Sequence, residues 1–232
     1  MDVVRRAHIS IRKLESIGIG LSMEEKRTII RCAELLREAL GRANIVFIPG
    51  HDVEHMFRVM ELSIILQRKY GGDFSKVVLS ALFHDILRTE KNHAEKSAKF
   101  TEEFLRDTEF RSVAKDIATI IREHSYSSIR RGSSLESMIL QDADRLDALG
   151  AIGIARVFSY GAHLGRELYD PVDPSKGGSL EHFYRKILRL PETMNTELAK
   201  RIAMKRLDVI KEFIEKILEE IQLRDITVEN DK

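Results

Sequence analysis

The sequence predicts an all-α fold in a single domain, and three observations carry the prediction. Apolar residues recur at helical spacing along nearly every segment, capping signatures stand where segments begin, and glycine or proline stands where several stop. At 232 residues the chain can bury a substantial core. Its 43% hydrophobic and 32% charged residues are the balance of a soluble globular protein rather than a disordered one.

The elements follow in order. Residues 1–22 form an N-terminal segment without an assigned structure: Ile9-Ser10-Ile11 alternates briefly, and Gly18 and Gly20 leave its element type open. The helical domain is expected over 23–224, and 225–232 form a C-terminal tail. Ser22-Met23-Glu24-Glu25 has capping-box spacing and opens an amphipathic helix to about Leu40. A short apolar segment, 45–50, breaks the pattern and closes on Pro49-Gly50. The next helix runs from about residue 51 to 70, where Gly71-Gly72 stops it. Another, capped near Asp73 or Ser75, carries His84-Asp85 close to its C-terminal end. Two more are expected over about 93–107 and 109–124. A polar loop, 125–132, leads to Ser133-Ser134-Leu135-Glu136, a second capping-box spacing, and to an apolar helix through Asp147. Residues 151–165 read as helix. The one long irregular stretch, 169–178, holds two of the four prolines and two glycines, so a lid and a plain connector are both open. Residues 180–190 and a long amphipathic helix over about 196–223 complete the chain. It contains no internal repeat and no low-complexity segment.

The formal net charge of +1 excludes an overall electrostatic drive to nucleic acid or membrane. No apolar run approaches the roughly 18–20 residues needed to span a bilayer. No signal-peptide apolar region follows Met1-Asp2-Val3-Val4-Arg5-Arg6. One cysteine, Cys32, can make neither an internal disulfide nor a cysteine-based zinc site, and reads as a small core residue. A cytoplasmic location is the expectation. Abundant Lys and Glu with no Trp lean towards a thermophilic composition.

Two places carry chemistry. In 79–87, His84-Asp85 is framed by Leu82, Phe83, Ile86 and Leu87, where burying two unpaired ionisable groups costs several kcal/mol, in the range of ~2–7 for a neutral polar group alone. A divalent metal suits imidazole and carboxylate together. His-Asp also occurs at His51-Asp52, but there it follows Pro49-Gly50 at a helix start, where Asp is a common terminal residue. The second pair is therefore taken as the site. His55 lies on the stripe of Val59, Leu62 and Leu66 and points inward. Alone it reads equally as a core histidine, and a His51/His55 chelate would leave His84-Asp85 unexplained. Downstream, Asp142, Asp144 and Asp147 fall within six residues of an apolar helix, with Asp144 between Leu140 and Ala148 on its inward face.

The order His55, then His84-Asp85, then Asp144 resembles the HD superfamily of metal-dependent phosphohydrolases, whose signature is H…HD…D on a helical scaffold. Gln141-Asp142-Ala143-Asp144-Arg145-Leu146-Asp147-Ala148-Leu149-Gly150-Ala151-Ile152-Gly153-Ile154-Ala155-Arg156 is similar to the long signature of one subgroup of HD hydrolases. So are His55-Met56-Phe57-Arg58-Val59 and Met194-Asn195-Thr196-Glu197. The resemblance covers about residues 45–222 and implies a single-domain HD-type bundle. It further implies that His55, His84, Asp85 and Asp144 coordinate a divalent ion (Mn, Ni, Co, Fe or Mg), with water attacking phosphorus.

Some HD branches carry H…HD..[KR]…H…H…D and bind a second metal through the added histidines; Arg88, His93 and His124 match that order here. Asp85, Asp147 and Arg88 are the candidate catalytic groups, with Asp147 orienting either the water or a ligand. Arg88, Lys91 and Arg145 are the candidate phosphate-binding groups, because guanidinium and ammonium pair with phosphate oxygens. Arg156, Tyr160 and His163 lie at i, i+4 and i+7 and are open as pocket or packing residues. The expected partner is a small phosphorylated substrate, a nucleotide first, with either pyrophosphate or phosphate released. No Gly-rich phosphate loop of the P-loop type is present. A non-catalytic nucleotide-binding module, a di-iron oxygenase and a homo-oligomer stay open.

Overall fold

The computed structural model describes residues 2–42, 45, 47–125 and 131–226. Ten α-helices and two short 3-10 segments make up its regular structure, and no strand occurs among the described residues. The helices are α1 (Val3–Ser16), α2 (Met23–Arg42), α3 (Val53–Tyr70), α4 (Phe74–Phe83), α5 (His93–Leu105), α6 (Ala114–Glu123), α7 (Leu135–Asp147), α8 (Gly150–His163), α9 (Glu181–Arg185) and α10 (Glu197–Ile221). None is long and apolar enough to cross a membrane. Helices α3, α4 and α7 pack on one another at the centre, with α2 and α6 against α4 and α5 on the outer face of α6. Cys32 lies fully buried in this core.

The start of α2 is a reciprocal capping box. Ser22 N–H donates to Glu25 Oε2 at 2.7 Å and Glu25 N–H to Ser22 Oγ at 3.2 Å. Asp52 caps α3 through the His55 N–H at 2.9 Å, and Asp73 caps α4 through that of Lys76 at 3.0 Å. The cap of α7 is Ser134, not Ser133, and it accepts from the Ser137 N–H at 3.1 Å. Glu136, freed from a capping box, instead accepts from the Asp73 N–H at 2.9 Å and ties α7 to the start of α4.

The N-terminal segment, which the sequence left unassigned, is helical over residues 3–16. Gly18, with φ +84°, lies just beyond the helix rather than within it. The helix depends on partners some fifty residues away. Arg6 pairs with Glu54 at 2.8 Å and Glu61 at 3.0 Å on α3 and lies over the Phe57 ring, while Ser10 and Lys13 also reach Glu61. The stretch 180–190, unassigned in the sequence, is the single turn of α9 followed by a 3-10 segment, Ile187–Thr193, that contains Pro191. Phe158, Phe183 and Phe213, with ring centroids 5.7–6.0 Å apart, join α8, α9 and α10. The preceding irregular stretch is pinched at its base, where the Ser179 and Leu180 N–H groups donate to the carbonyls of Glu167 and Leu168. It crosses α8 at Gly161, where a Cβ would lie 2.0 Å from Ser179 Oγ. Parts of three expected segments, 45–50, 125–132 and 225–232, lie outside the described residues.

Candidate metal centre

Helix α4 ends at Phe83, so His84 and Asp85 sit in the tight turns that follow it rather than inside the helix. This turn meets the first turn of α3 with His55, the residue after α6, His124, and the inward face of α7 with Asp144. His55 and His84 are fully buried, and Asp85 and His124 nearly so; only Asp144, its side chain 26% exposed, opens outward.

The backbone and the surrounding carboxylates fix the histidine tautomers. His55 Nδ1 lies 2.8 Å from Asp147 Oδ2, His84 Nδ1 2.8 Å from the Ala81 carbonyl, and His124 Nδ1 2.5 Å from the Ile121 carbonyl. Carbonyls and ionised carboxylates only accept, so each Nδ1 carries a proton, and in the neutral ring each Nε2 is left with a lone pair. Those lone pairs converge. His55 Nε2 and His84 Nε2 are 3.1 Å apart, with Asp85 Oδ2 at 3.6 and 3.7 Å and Asp144 Oδ1 at 3.5 and 3.9 Å. On the other side, His124 Nε2 and His93 Nε2 each stand 3.5 Å from Asp85 Oδ1.

Two lone pairs at 3.1 Å repel unless a proton or a cation stands between them. Asp85 Oδ1 is buried without a hydrogen bond, which is costly for a carboxylate oxygen. Burial pushes the His84 imidazole down to about 3 and keeps it neutral. Burial alone would raise Asp85 and Asp144, but His55 and His124, both shifted up by the carboxylates beside them, hold the two well below the usual carboxylate range. Neutral imidazole beside ionised carboxylate is the donor set of a divalent ion. Three sets of ligand atoms lie within 4.8 Å of one another: His51/His55/Asp85, His55/His84/Asp144 and His84/Asp85/His124.

The three aspartates of α7 divide their work. Asp142 accepts from the N–H groups of Asn195 and Thr196 at 2.7 and 2.8 Å and fastens the start of α10. Asp144 faces the histidines. Asp147 accepts from His55, from Arg58 at 2.7 Å and from Arg156 at 2.9 Å, and does not line the cavity described below.

His51 corrects the sequence reading, which set the His51-Asp52 pair apart from the site. Asp52 does cap α3, but His51 Nδ1 lies 2.8 Å from Asp85 Oδ2. The turn from Ile48 to His51, with Gly50 at φ +83° against Arg156, folds the ring back onto the site. Burial pushes this imidazole down to about 4.

The cluster opens into a cavity of about 400 Å³. Arg88 lines it, its Nη1 2.7 Å from His93 Nε2 and 3.6 Å from Asp85 Oδ1. Arg145 also lines it, with Nη1 donating to the Thr193 carbonyl at 2.5 Å. Lys91 is exposed and is not brought to the cavity. Arg156 and Tyr160 line the wall; His163 is exposed and stacks on Tyr160 from outside. None of residues 169–178 lines the cavity, whereas Arg166 and Ser179 on either side do. The basic lining residues that sequence reasoning did not single out are Arg166, His182 and Lys186, which lie beyond α8 in or beside short elements and follow no periodic pattern.

Residues 52–149 match the HD domain family. The Bacillus subtilis protein YpgQ is 32% identical over 180 residues, 74% of this chain and 85% of that protein. A crystal structure of YpgQ in complex with ADP covers 85% of this chain and 96% of its own, at 28% identity and a TM-score of 0.65. An HD-superfamily hydrolase from Bacillus thuringiensis is 35% identical, with 84% of this chain and 97% of that one covered and a TM-score of 0.64. The chain belongs to the HD superfamily.

Proposed function

We propose that the protein is a metal-dependent phosphohydrolase that acts on a nucleotide by attack of water on phosphorus. The observation that carries this reading is the convergence of Nε2 atoms on Asp85, beside a cavity that Asp144, His93 and His124 of the cluster line and whose remaining charged walls are cationic. His55, His84, Asp85 and Asp144 would hold one divalent ion. His93 and His124, with Asp85 shared, are the candidate ligands of a second. A divalent ion in such a donor set supplies a nucleophile at neutral pH and a counter-charge for the phosphoryl oxygens.

The chain's own residues do the rest. Asp147 fixes the tautomer and ring angle of His55, and Arg58 and Arg156 hold Asp147 in turn. Arg88 reaches the cavity beside Asp85 and can trade His93 Nε2 for a phosphate oxygen. Arg145 lines the wall and stiffens it through the Thr193 carbonyl. Val157, Ile187 and Leu190 give the cavity an apolar side suited to a base. The ADP bound by YpgQ supports a nucleotide as the ligand class.

The test is a screen of nucleoside mono-, di- and triphosphates with Mn, Ni, Co and Mg, reading phosphate and pyrophosphate separately. We expect metal-dependent release from at least one class. Protein that binds metal yet releases neither product from any nucleotide would overturn the reading.

A further inference from the structure

Glu54 and Arg58 stand four residues apart on α3, acid first, the spacing and order at which two such side chains pair along a helix. They do not pair here. Arg58 reaches across to α7, its Nε 2.7 Å from Asp147 Oδ1 and its Nη2 3.0 Å from Asp147 Oδ2. Glu54 turns the other way, to α1, where Arg6 Nε lies 3.0 and 2.8 Å from its two oxygens. Glu54 nevertheless stays within electrostatic reach of Arg58, as does Asp52. Asp52 is committed to the cap of α3, through the His55 N–H. Glu54 is committed to Arg6.

Arg6 is built to hold it. Its side chain is only 8% exposed and spans two acids of α3 seven residues apart, Glu54 in the first turn and Glu61 beyond it, with the guanidinium over the Phe57 ring. Ser10, one turn on along α1, accepts from Arg6 Nη1 at 2.7 Å. Val3, Ala7, Ile11 and Leu14 pack the apolar side of the same helix into the core, which secures α1 but selects no partner for Glu54. Buried ion pairs add little net stability over apolar packing, and their best-attested use is to fix one arrangement among several. Two arrangements compete here. In one, Glu54 sits on Arg6 and Arg58 on Asp147; in the other, Glu54 draws Arg58 to itself and Arg156 is left as the cation on Asp147.

We propose that Arg6 is a positioning residue of the metal centre: by holding Glu54 on α1 it keeps Arg58 on Asp147, and Asp147 in turn keeps the His55 ring aimed at the ion. This rests on the metal centre of the phosphohydrolase reading, in which His55 is a ligand, and extends it to a helix outside residues 52–149. The contacts of Arg6 are with Glu54, Glu61, Ser10 and Phe57, so its influence on the ion runs through α3.

The experiment is Mn binding to the full-length protein, read by competition with a chelating dye, beside thermal unfolding of the metal-free protein. Arg6→Met keeps an apolar chain over Phe57 and leaves Ser10 and Lys13 on the buried Glu61. It should weaken the tightest Mn site by about three- to tenfold, less than the roughly 10- to 100-fold that outright loss of a supporting group costs, because Arg156 still holds Asp147. Glu54→Gln removes the competitor for Arg58 and should stay near wild type. Added to Arg6→Met, it should bring the Mn affinity back, which it could not do if Arg6 merely fastened α1. Arg6→Lys serves should Arg6→Met fail to fold: one ammonium cannot take both acids as the guanidinium fork does, so a loss that Glu54→Gln again removes is expected. A loss that persists in the double variants, or Arg6 variants with wild-type affinity, would overturn the role of Arg6 and leave the metal centre standing. Wild type that binds no Mn would overturn the metal centre itself.

Discussion

The two sides of Asp85 are built differently. On the Oδ2 side, His55 is held by a carboxylate, Asp147, which is itself gripped by Arg58 and Arg156; His51 and Asp144 stand close by. On the Oδ1 side, His124 is held only by the Ile121 carbonyl, and the Nε2 of His93 faces the guanidinium of Arg88 at 2.7 Å. A carboxylate behind a histidine raises its basicity and fixes its ring, whereas a guanidinium in front of one occupies the lone pair that a metal would need. The first side is therefore ready for a cation as it stands. The second has to displace Arg88 first.

The largest effect should come from the residue the two sides share. Asp85→Ala removes ligand oxygens from both, so bound metal by elemental analysis should fall to background and hydrolysis with it, while helical content by circular dichroism stays near wild type. His84→Ala should do nearly as much, because its Nε2 also faces both groups. Unchanged turnover in either variant would sink the site. A smaller effect should come from Asp147→Asn, which keeps the shape but removes the charge behind His55. Metal affinity should drop by about 10- to 100-fold, the range seen when such supporting groups are lost. If competition with a chelator instead showed wild-type affinity, the asymmetry between the two sides would have no energetic meaning.

The parts of this centre that were legible in the sequence are those where an ionisable residue breaks an apolar helical pattern. His84-Asp85 among Leu82, Phe83, Ile86 and Leu87, His55 on its stripe, and Asp144 facing inward all have that form. His51 was not legible, because its neighbour Asp52 has a sufficient local explanation as a cap, and only the turn at Gly50 shows that the ring folds back. Ser133 and Ser134 are equivalent as letters, and the choice between them is made by Glu136, whose partner is the Asp73 N–H, sixty-three residues away. Helix α1 was left open by the sequence for a related reason. Its polar residues Arg6, Ser10 and Lys13 look like a solvated face until Glu61 of α3 closes over them. In each case the deciding partner is distant in sequence, where spacing carries no information.

The smallest effect belongs to the second side. A single ion should occupy the Oδ2 side tightly. A second should bind the Oδ1 side more weakly, because His93 has to be freed from Arg88 and that cation, at 3.6 Å from Asp85 Oδ1, repels an incoming ion. A metal titration followed by calorimetry should then show a tight phase and a weak phase. His93→Ala removes a ligand of the weak phase alone: total stoichiometry at saturating metal should halve while the tight phase keeps its affinity. Arg88→Ala should move the weak phase the other way, to lower metal concentration, by removing both the competitor for Nε2 and the repulsion. A His93→Ala protein that lost the tight phase, or an Arg88→Ala protein whose weak phase did not tighten, would reverse the assignment of which side of Asp85 is the stronger.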